Sequence, residues 1–216
     1  IQAARAKGRP ALVAYITAGF PTREGFRELL QSVAAAADVA EIGVPFTERM
    51  ADGTTIRRSS RAALEQGVTL HWILSELAAL TAATQLASPL LLMSYLNPLL
   101  AYGLDRLPQD AARAGIAGFI VPDLPLEECS ELRSALDAQG LALVQFVTPV
   151  TPVERMKVLS EASGGVQPGP ADQRMWLSVS FPLMLLAVAT VVQNQGSVLL
   201  AGAFLGVADA GILGAA

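Results

Sequence analysis

One cysteine, Cys129, and one histidine, His71, are all that the chain has of either residue. A lone cysteine rules out an internal disulfide and suits a reducing compartment. One residue of each kind is also too few to build a zinc centre. Lysine is scarce: Lys7 and Lys157 are the only two, and the other 13 of the 15 cationic side chains are arginine. With a net charge of −4 and no basic stripe, a nucleic-acid binder is excluded as a working class. Charge of either sign is thin at 16% and unevenly spread: of 34 charged residues, only Asp172, Arg174 and Asp209 lie beyond residue 165. The chain opens at Ile1 with neither Met nor an apolar signal core, so a natural N-terminal stretch is expected to be missing and no secretory signal is visible.

What is abundant is apolar residues, 52% of 216, enough for one good core and by default one domain. β-rich apolar runs recur at 11–19, 39–45, 89–95, 118–125 and 142–149. They are continuous rather than alternating, as expected of parallel strands covered on both faces. Helical patterns fall between them. Thr22 is a candidate cap for a helix with Phe26, Leu29, Leu30 and Val33 on one face. Residues 55–66 read as a second helix closed by Gly67, and 70–86 as a third that aligns Leu70, Ile73, Leu74, Leu77 and Leu80. Weaker helices are expected over about 105–114 and 126–138. Thr151, Pro152 and Glu154 form the best local start signal, opening a helix to about Ala162.

Five β-then-α units of roughly 30 residues predict an α/β fold with right-handed crossovers, nearer to five-eighths of a (β/α)8 TIM barrel than to a doubly wound sheet. A dinucleotide-binding sheet would want a Gly-rich first turn, and the stretch at 18–22 offers Gly19 alone. Barrel chemistry sits at the C-terminal ends of the strands. Thr17, the stretch from Glu41 to Asp52, Tyr95 with Asn97, and Asp123 all fall there. Glu41 is the most telling, because a carboxylate within an apolar strand is costly unless paired or used.

The residues 41–56, EIGVPFTERMADGTTI, resemble the signature of the tryptophan synthase α subunit family, a set of (β/α)8 barrels. YITAGFP at 15–21, LLMSYLNPLLAYG at 91–103 and FIVPDLPLEE at 119–128 match the same family in order and spacing, so the likeness spans about residues 9–165. The resemblance implies a lyase of tryptophan biosynthesis that cleaves indole-3-glycerol phosphate to indole and glyceraldehyde 3-phosphate by a retro-aldol step. It places the catalytic acid on Glu41 and the second catalytic carboxylate on Asp52. Tyr15, Leu92 and Tyr95 take the positions of the indole-pocket wall. Asn97, Pro98 and Asp123 fall in the region that docks a β subunit in an α2β2 assembly. It implies no cofactor in this chain, pyridoxal phosphate belonging to the β subunit, and a cytoplasmic location. Glu48 and Arg49 replace the family's Asp-Pro and Thr54 replaces a Pro. These changes flank the carboxylates and bear on loop conformation and on communication with the partner.

Each of these residues also has a plain structural reading. Glu41 can pair with an arginine such as Arg57, and Asp52 can be a turn former before Gly53. Tyr15 and Tyr95 can be core aromatics, and Asp123 a loop cap. His71 and Cys129 read as packing or surface residues. The likeness ends near Gly165, so the domain reading is a partial barrel at 1–165 and an apolar tail at 166–216. No charge occurs between Met175 and Ala208, and two apolar runs, 175–192 and 198–216, flank the polar stretch 193–197. Each run is near bilayer-crossing length, so a membrane hairpin is one reading of the tail. A buried substitute for barrel strands and a segment foreign to the barrel are the others. A barrel lacking its last strands lacks a phosphate cradle, and the expectation is weak or absent lyase activity. The remaining alternatives are a catalytically dead module that binds a β subunit, and a barrel-derived domain held at a membrane.

Overall fold

The computed structural model describes residues 4, 6, 8–48, 52–148 and 151–163. These fall into two compact units, one made of the described residues to 146 with 158–163, the other of those within 147–157. The readings of the tail, membrane hairpin included, lie outside the described residues. Among the described residues, no helix is long and apolar enough to cross a membrane.

The strands are β1 (Val13–Thr17), β2 (Val39–Gly43), β3 (Leu90–Met93), β4 (Ile116–Ile120) and β5 (Ala142–Val144). The helices are α1 (Phe26–Ala36), α2 (Thr54–Glu65), α3 (Leu70–Ala83), α4 (Leu96–Tyr102), α5 (Leu107–Arg113), α6 (Ser130–Asp137) and α7 (Val153–Ala162). The five strands form one sheet in the order β1-β2-β3-β4-β5, every neighbouring pair parallel. This is the strand-by-strand progression of a (β/α)8 barrel, with five units present.

Helix α3 illustrates how the pattern becomes structure. The Thr69 hydroxyl caps it by accepting from the Trp72 amide, and Leu70, Ile73, Leu74, Leu77 and Leu80 are all buried, as their spacing requires. Burying a side chain of this size is worth about 1.5–3 kcal/mol, so this helix is held by its stripe. Its end comes at Ala83, three residues short of expectation, where Thr84 turns extended. Thr22 does not cap α1 directly; its hydroxyl accepts from the Gly25 amide one turn earlier, and Gly25 is the cap position. The 118–125 run is corrected as well. The strand starts at Ile116 and stops at Ile120, and 121–125 forms the rim loop. Helix α4, which contains Pro98, was not among the expected helices. In a first turn the missing N–H of a proline costs nothing.

At the C-terminal ends of the strands the ladder runs one hydrogen bond further. Ala18 donates to the Gly43 carbonyl (3.0 Å), Val44 to Met93 (2.8 Å) and Ser94 to Ile120 (3.0 Å). The rim where the loops leave the sheet is therefore held as firmly as the strands.

Candidate active site

In-register residues on neighbouring parallel strands point to the same face. Tyr15 pairs with Glu41, Glu41 with Leu91, Leu91 with Gly118, and Gly118 with Ala142. Two residues nearer the rim, Thr17, Gly43, Met93, Ile120 and Val144 repeat the line. The intervening set, Ile16, Ile42, Leu92, Phe119 and Leu143, faces the other way. Ile42, Leu92 and Phe119 are fully buried in the hydrophobic core with helix residues such as Leu30 and Leu77.

Leu92 is thus not on the Glu41 face. It lies in register with Ile42, so its side chain belongs to the core, and the residue of β3 nearest the rim on the Glu41 face is Met93. Sequence reasoning missed Met93 because a continuous apolar run carries no alternation to say which side chains face which way. Stepping back two residues from Tyr95 would have found it.

Glu41 is half-buried in the middle of β2. Its carboxyl is raised above the usual carboxylate range, first by burial and then by the neighbouring negative charge of Asp52. No cation contributes to that shift, so the ion pair with Arg57 is not what Glu41 makes. Asp52, itself partly buried, stands immediately before the Gly53 cap of α2. That places its carboxylate by a helix N-terminus, where negative charge is favoured. Two carboxyl groups separated by eleven positions in sequence are therefore brought close enough to sense each other.

Aromatic rings lie at the C-terminal ends of these strands. The Tyr15 ring lies over Gly43, so closely that a Cβ on Gly43 would come 2.0 Å from the Tyr15 hydroxyl oxygen. Only glycine leaves room for that ring. Tyr95, 5% exposed at the start of α4, packs its ring 5.8 Å from that of Phe46, which follows β2. Phe46 was part of the motif but was not singled out from the sequence. The polar positions of this rim divide. Asp123 is exposed and accepts from the Leu96 amide with both carboxylate oxygens, at 2.9 and 3.2 Å, tying the loop after β4 to the start of α4. Asn97 is exposed and Pro98 partly so, both in the first turn of α4, with Leu100 exposed beside them. Cys129 is buried, and His71 stacks on Tyr102 with ring centroids 6.2 Å apart.

A cavity of about 560 Å³ lies elsewhere, bounded by residues 81–90 and 115–117 at the N-terminal ends of β3 and β4. Its lining has no charged side chain. The chemically equipped end of the sheet is the opposite one.

Comparison with known proteins gives one consistent result. The family model described as "Tryptophan synthase alpha chain" matches residues 1–166. The tryptophan synthase alpha chain of Nitratidesulfovibrio vulgaris (strain DP4) is 48% identical over 166 residues, a stretch that is 76% of this chain and 64% of that one. Among solved structures, tryptophan synthase subunit alpha from Legionella pneumophila str. Paris aligns with a TM-score of 0.70 at 34% identity, covering 76% of this chain and 63% of the other. The tryptophan synthase complex from Pyrococcus furiosus aligns with a TM-score of 0.66 at 30% identity, over 72% of this chain and 64% of its counterpart. The chain thus spans less than two-thirds of the length of these relatives, and residues beyond 166 lie outside the family match.

Proposed function

The chain belongs to the tryptophan synthase alpha chain family, and on that premise we propose that its Glu41 face is a lyase site for retro-aldol cleavage of indole-3-glycerol phosphate. The observation that carries this reading is the half-buried Glu41 carboxyl, raised by burial and by Asp52, in the middle of a parallel strand and on the face that leads to its C-terminal rim. Breaking the bond between indole C3 and the glycerol chain needs a proton delivered to C3 and a proton taken from the glycerol hydroxyl. One proton enters and one leaves, so a single carboxyl group can cycle through both steps. A carboxyl raised toward neutrality is suited to give the first proton, and the carboxylate it leaves can take the second. That is the role of Glu41. Asp52 accepts from the indole N–H and steadies the positive charge that develops on the ring. Tyr15, Met93, Tyr95 and Phe46 supply the apolar wall for the indole.

The reaction asks for no cofactor in this chain; pyridoxal phosphate belongs to the β subunit that consumes indole. We assign docking of that subunit to the rim formed by Asn97, Pro98 and the loop held by Asp123. The similar Pyrococcus furiosus structure is a tryptophan synthase complex, which supports a partner for this chain. By the same family resemblance, we place its action in the cytoplasm. In such barrels the phosphate cradle comes from the last strands, and residues 166–216 lie outside the family match. Turnover by the 216-residue chain alone is therefore expected to be slow.

The test is indole release from indole-3-glycerol phosphate under single-turnover conditions, with enzyme in excess. Glu41→Gln is expected to lower the rate by at least ~100-fold, the usual contribution of a positioned general acid. An unchanged rate in that variant would remove Glu41 from the mechanism and overturn the reading.

A further inference from the structure

Thr17 and Ser59 are both buried, at 5% and 7% exposure, and 42 positions apart in sequence. Their hydroxyl oxygens are 2.7 Å apart. The Ser59 hydroxyl also lies 3.0 Å from the Ile56 carbonyl, an acceptor only, so Ser59 donates there. A serine has one proton to give. Thr17 must therefore be the donor to Ser59, and the contact has a fixed direction: Thr17 to Ser59 to the Ile56 carbonyl.

The position of this contact matters more than its strength. Thr17 ends β1, in register with Gly43 and two residues from Tyr15, the neighbour of Glu41. Ser59 lies on α2, whose first intrahelical hydrogen bond runs from the Arg57 amide to the Gly53 carbonyl at 3.1 Å. Asp52 is the residue before that carbonyl. The capping residue of helix α2 is a glycine, which offers the helix no side-chain hydrogen bond. A buried hydroxyl pair thus ties its second turn to the end of β1.

We propose that Ser59 is a positioning residue: by taking the Thr17 hydrogen bond it holds helix α2, and with it the Asp52 carboxylate, at a set distance from Glu41. This rests on the reading of Glu41 and Asp52 as a working pair, and it adds a residue that touches neither substrate nor the reacting atoms. The interaction between two charges falls with distance, so a loosened α2 weakens what Asp52 does to Glu41. The other groups facing Glu41 are Tyr15 from β1 and the apolar Leu91 and Met93 from β3.

The experiment follows the side-chain carboxyl carbon of Glu41 by ¹³C NMR through a pH titration of the 216-residue chain. It compares wild type, Asp52→Asn, Ser59→Ala, Thr17→Val, Thr17→Ser and the double variant Ser59→Ala/Asp52→Asn. Asp52→Asn is expected to lower the Glu41 midpoint. Ser59→Ala and Thr17→Val should each reproduce most of that shift, whereas Thr17→Ser, which keeps the donor, should not. In the Asp52→Asn background Ser59→Ala should add nothing, a non-additivity that general loosening of the fold would not produce. A Glu41 midpoint that moves in Asp52→Asn but stays in place in Ser59→Ala and Thr17→Val overturns the proposal alone. A midpoint indifferent to Asp52→Asn sinks the paired reading and the proposal with it. Thr17→Val preserves side-chain shape but also removes the 3.5 Å contact between the Thr17 and Tyr15 hydroxyls, so if Ser59→Ala fails to fold the test is carried by Thr17→Val combined with Asp52→Asn, where it should add nothing to Asp52→Asn alone.

Discussion

A carboxyl whose proton is held more tightly in the folded chain than in the unfolded one has a stability signature of definite sign. Glu41 is raised by burial and by Asp52. Its contribution is therefore fully present below the ordinary glutamate value of about 4.3 and is lost as pH rises through its folded value. At neutral pH the ionised group is a liability to the fold. Glu41→Gln should consequently be more stable than wild type at pH 7, with the gain disappearing toward pH ~4, where both side chains are neutral. Urea midpoints measured at the two pH values check this; a variant no more stable at pH 7 would mean that Glu41 carries no such burden. The same substitution is expected to cost the activity, a trade often met where a site is built at the expense of stability. Individual residues also mark the limits of legibility. Glu41 was readable because charge inside an apolar strand stands out against its neighbours. Leu92 was placed on the wrong face because LLLM has no such contrast, and only the pairing of Leu92 with Ile42 reveals its direction. The contact between Tyr15 and Gly43 could not be read at all, since no local rule links positions 28 apart.

At the scale of elements, the least anticipated piece is α4, and the structure explains what secures it. Seven residues are too few for a helix to be stable by itself. Helix α4 buries Leu99 and Tyr102, and its first amide is capped from another loop by the Asp123 carboxylate. Asp123→Ala removes that acceptor and should destabilise the chain by about 1 kcal/mol, as loss of a helix cap commonly does. Denaturant titration is the check, and an unchanged midpoint would show that the cap is dispensable. If the rim docks a β subunit, the same variant should also bind it less well, because Asn97 and Pro98 ride on the helix that Asp123 anchors. The other helices were legible in proportion to their periodicity. Helix α3 presented five apolar residues in register and was found; α5 and α6, at seven and eight residues, were placed with overlong boundaries because their ends depend on turns rather than on a stripe. Residues 126–129, expected to be helical, form a turn in which Cys129 donates to the Leu126 carbonyl.

For the molecule as a whole, two aspartates contribute to the response to acid. Asp38 is held well below the usual carboxylate range, first by its hydrogen bond from Arg9 and then by the Leu12 amide. Asp110 is lowered chiefly by the Tyr102 hydroxyl, against the opposing effect of burial, with Arg113 assisting. A depressed carboxylate stabilises above its unfolded value, near 3.9, and that stability drains away as pH falls through the folded value. Unfolding free energy should therefore decline from about pH 4 downward, in the sense opposite to Glu41. Asp38→Asn and Asp110→Asn should each flatten the decline when unfolding is followed across acid pH. A decline of unchanged steepness in both variants would assign acid sensitivity to other groups. Fold class was legible at this scale because five continuous apolar runs separated by helices admit few parallel arrangements.

The order of the sheet, identical to the order of the sequence, has a consequence for synthesis. Every strand after the first is laid beside one the ribosome has already released, so the sheet can grow in the direction of translation. β1 has its neighbour β2 available once residue 43 has emerged, and β5 pairs with β4. Each new pairing closes a local connection, two helices long between β2 and β3, rather than spanning the chain, which keeps the entropic cost of every step small. Glu41 and Asp52 are thus both synthesised before any residue of β3.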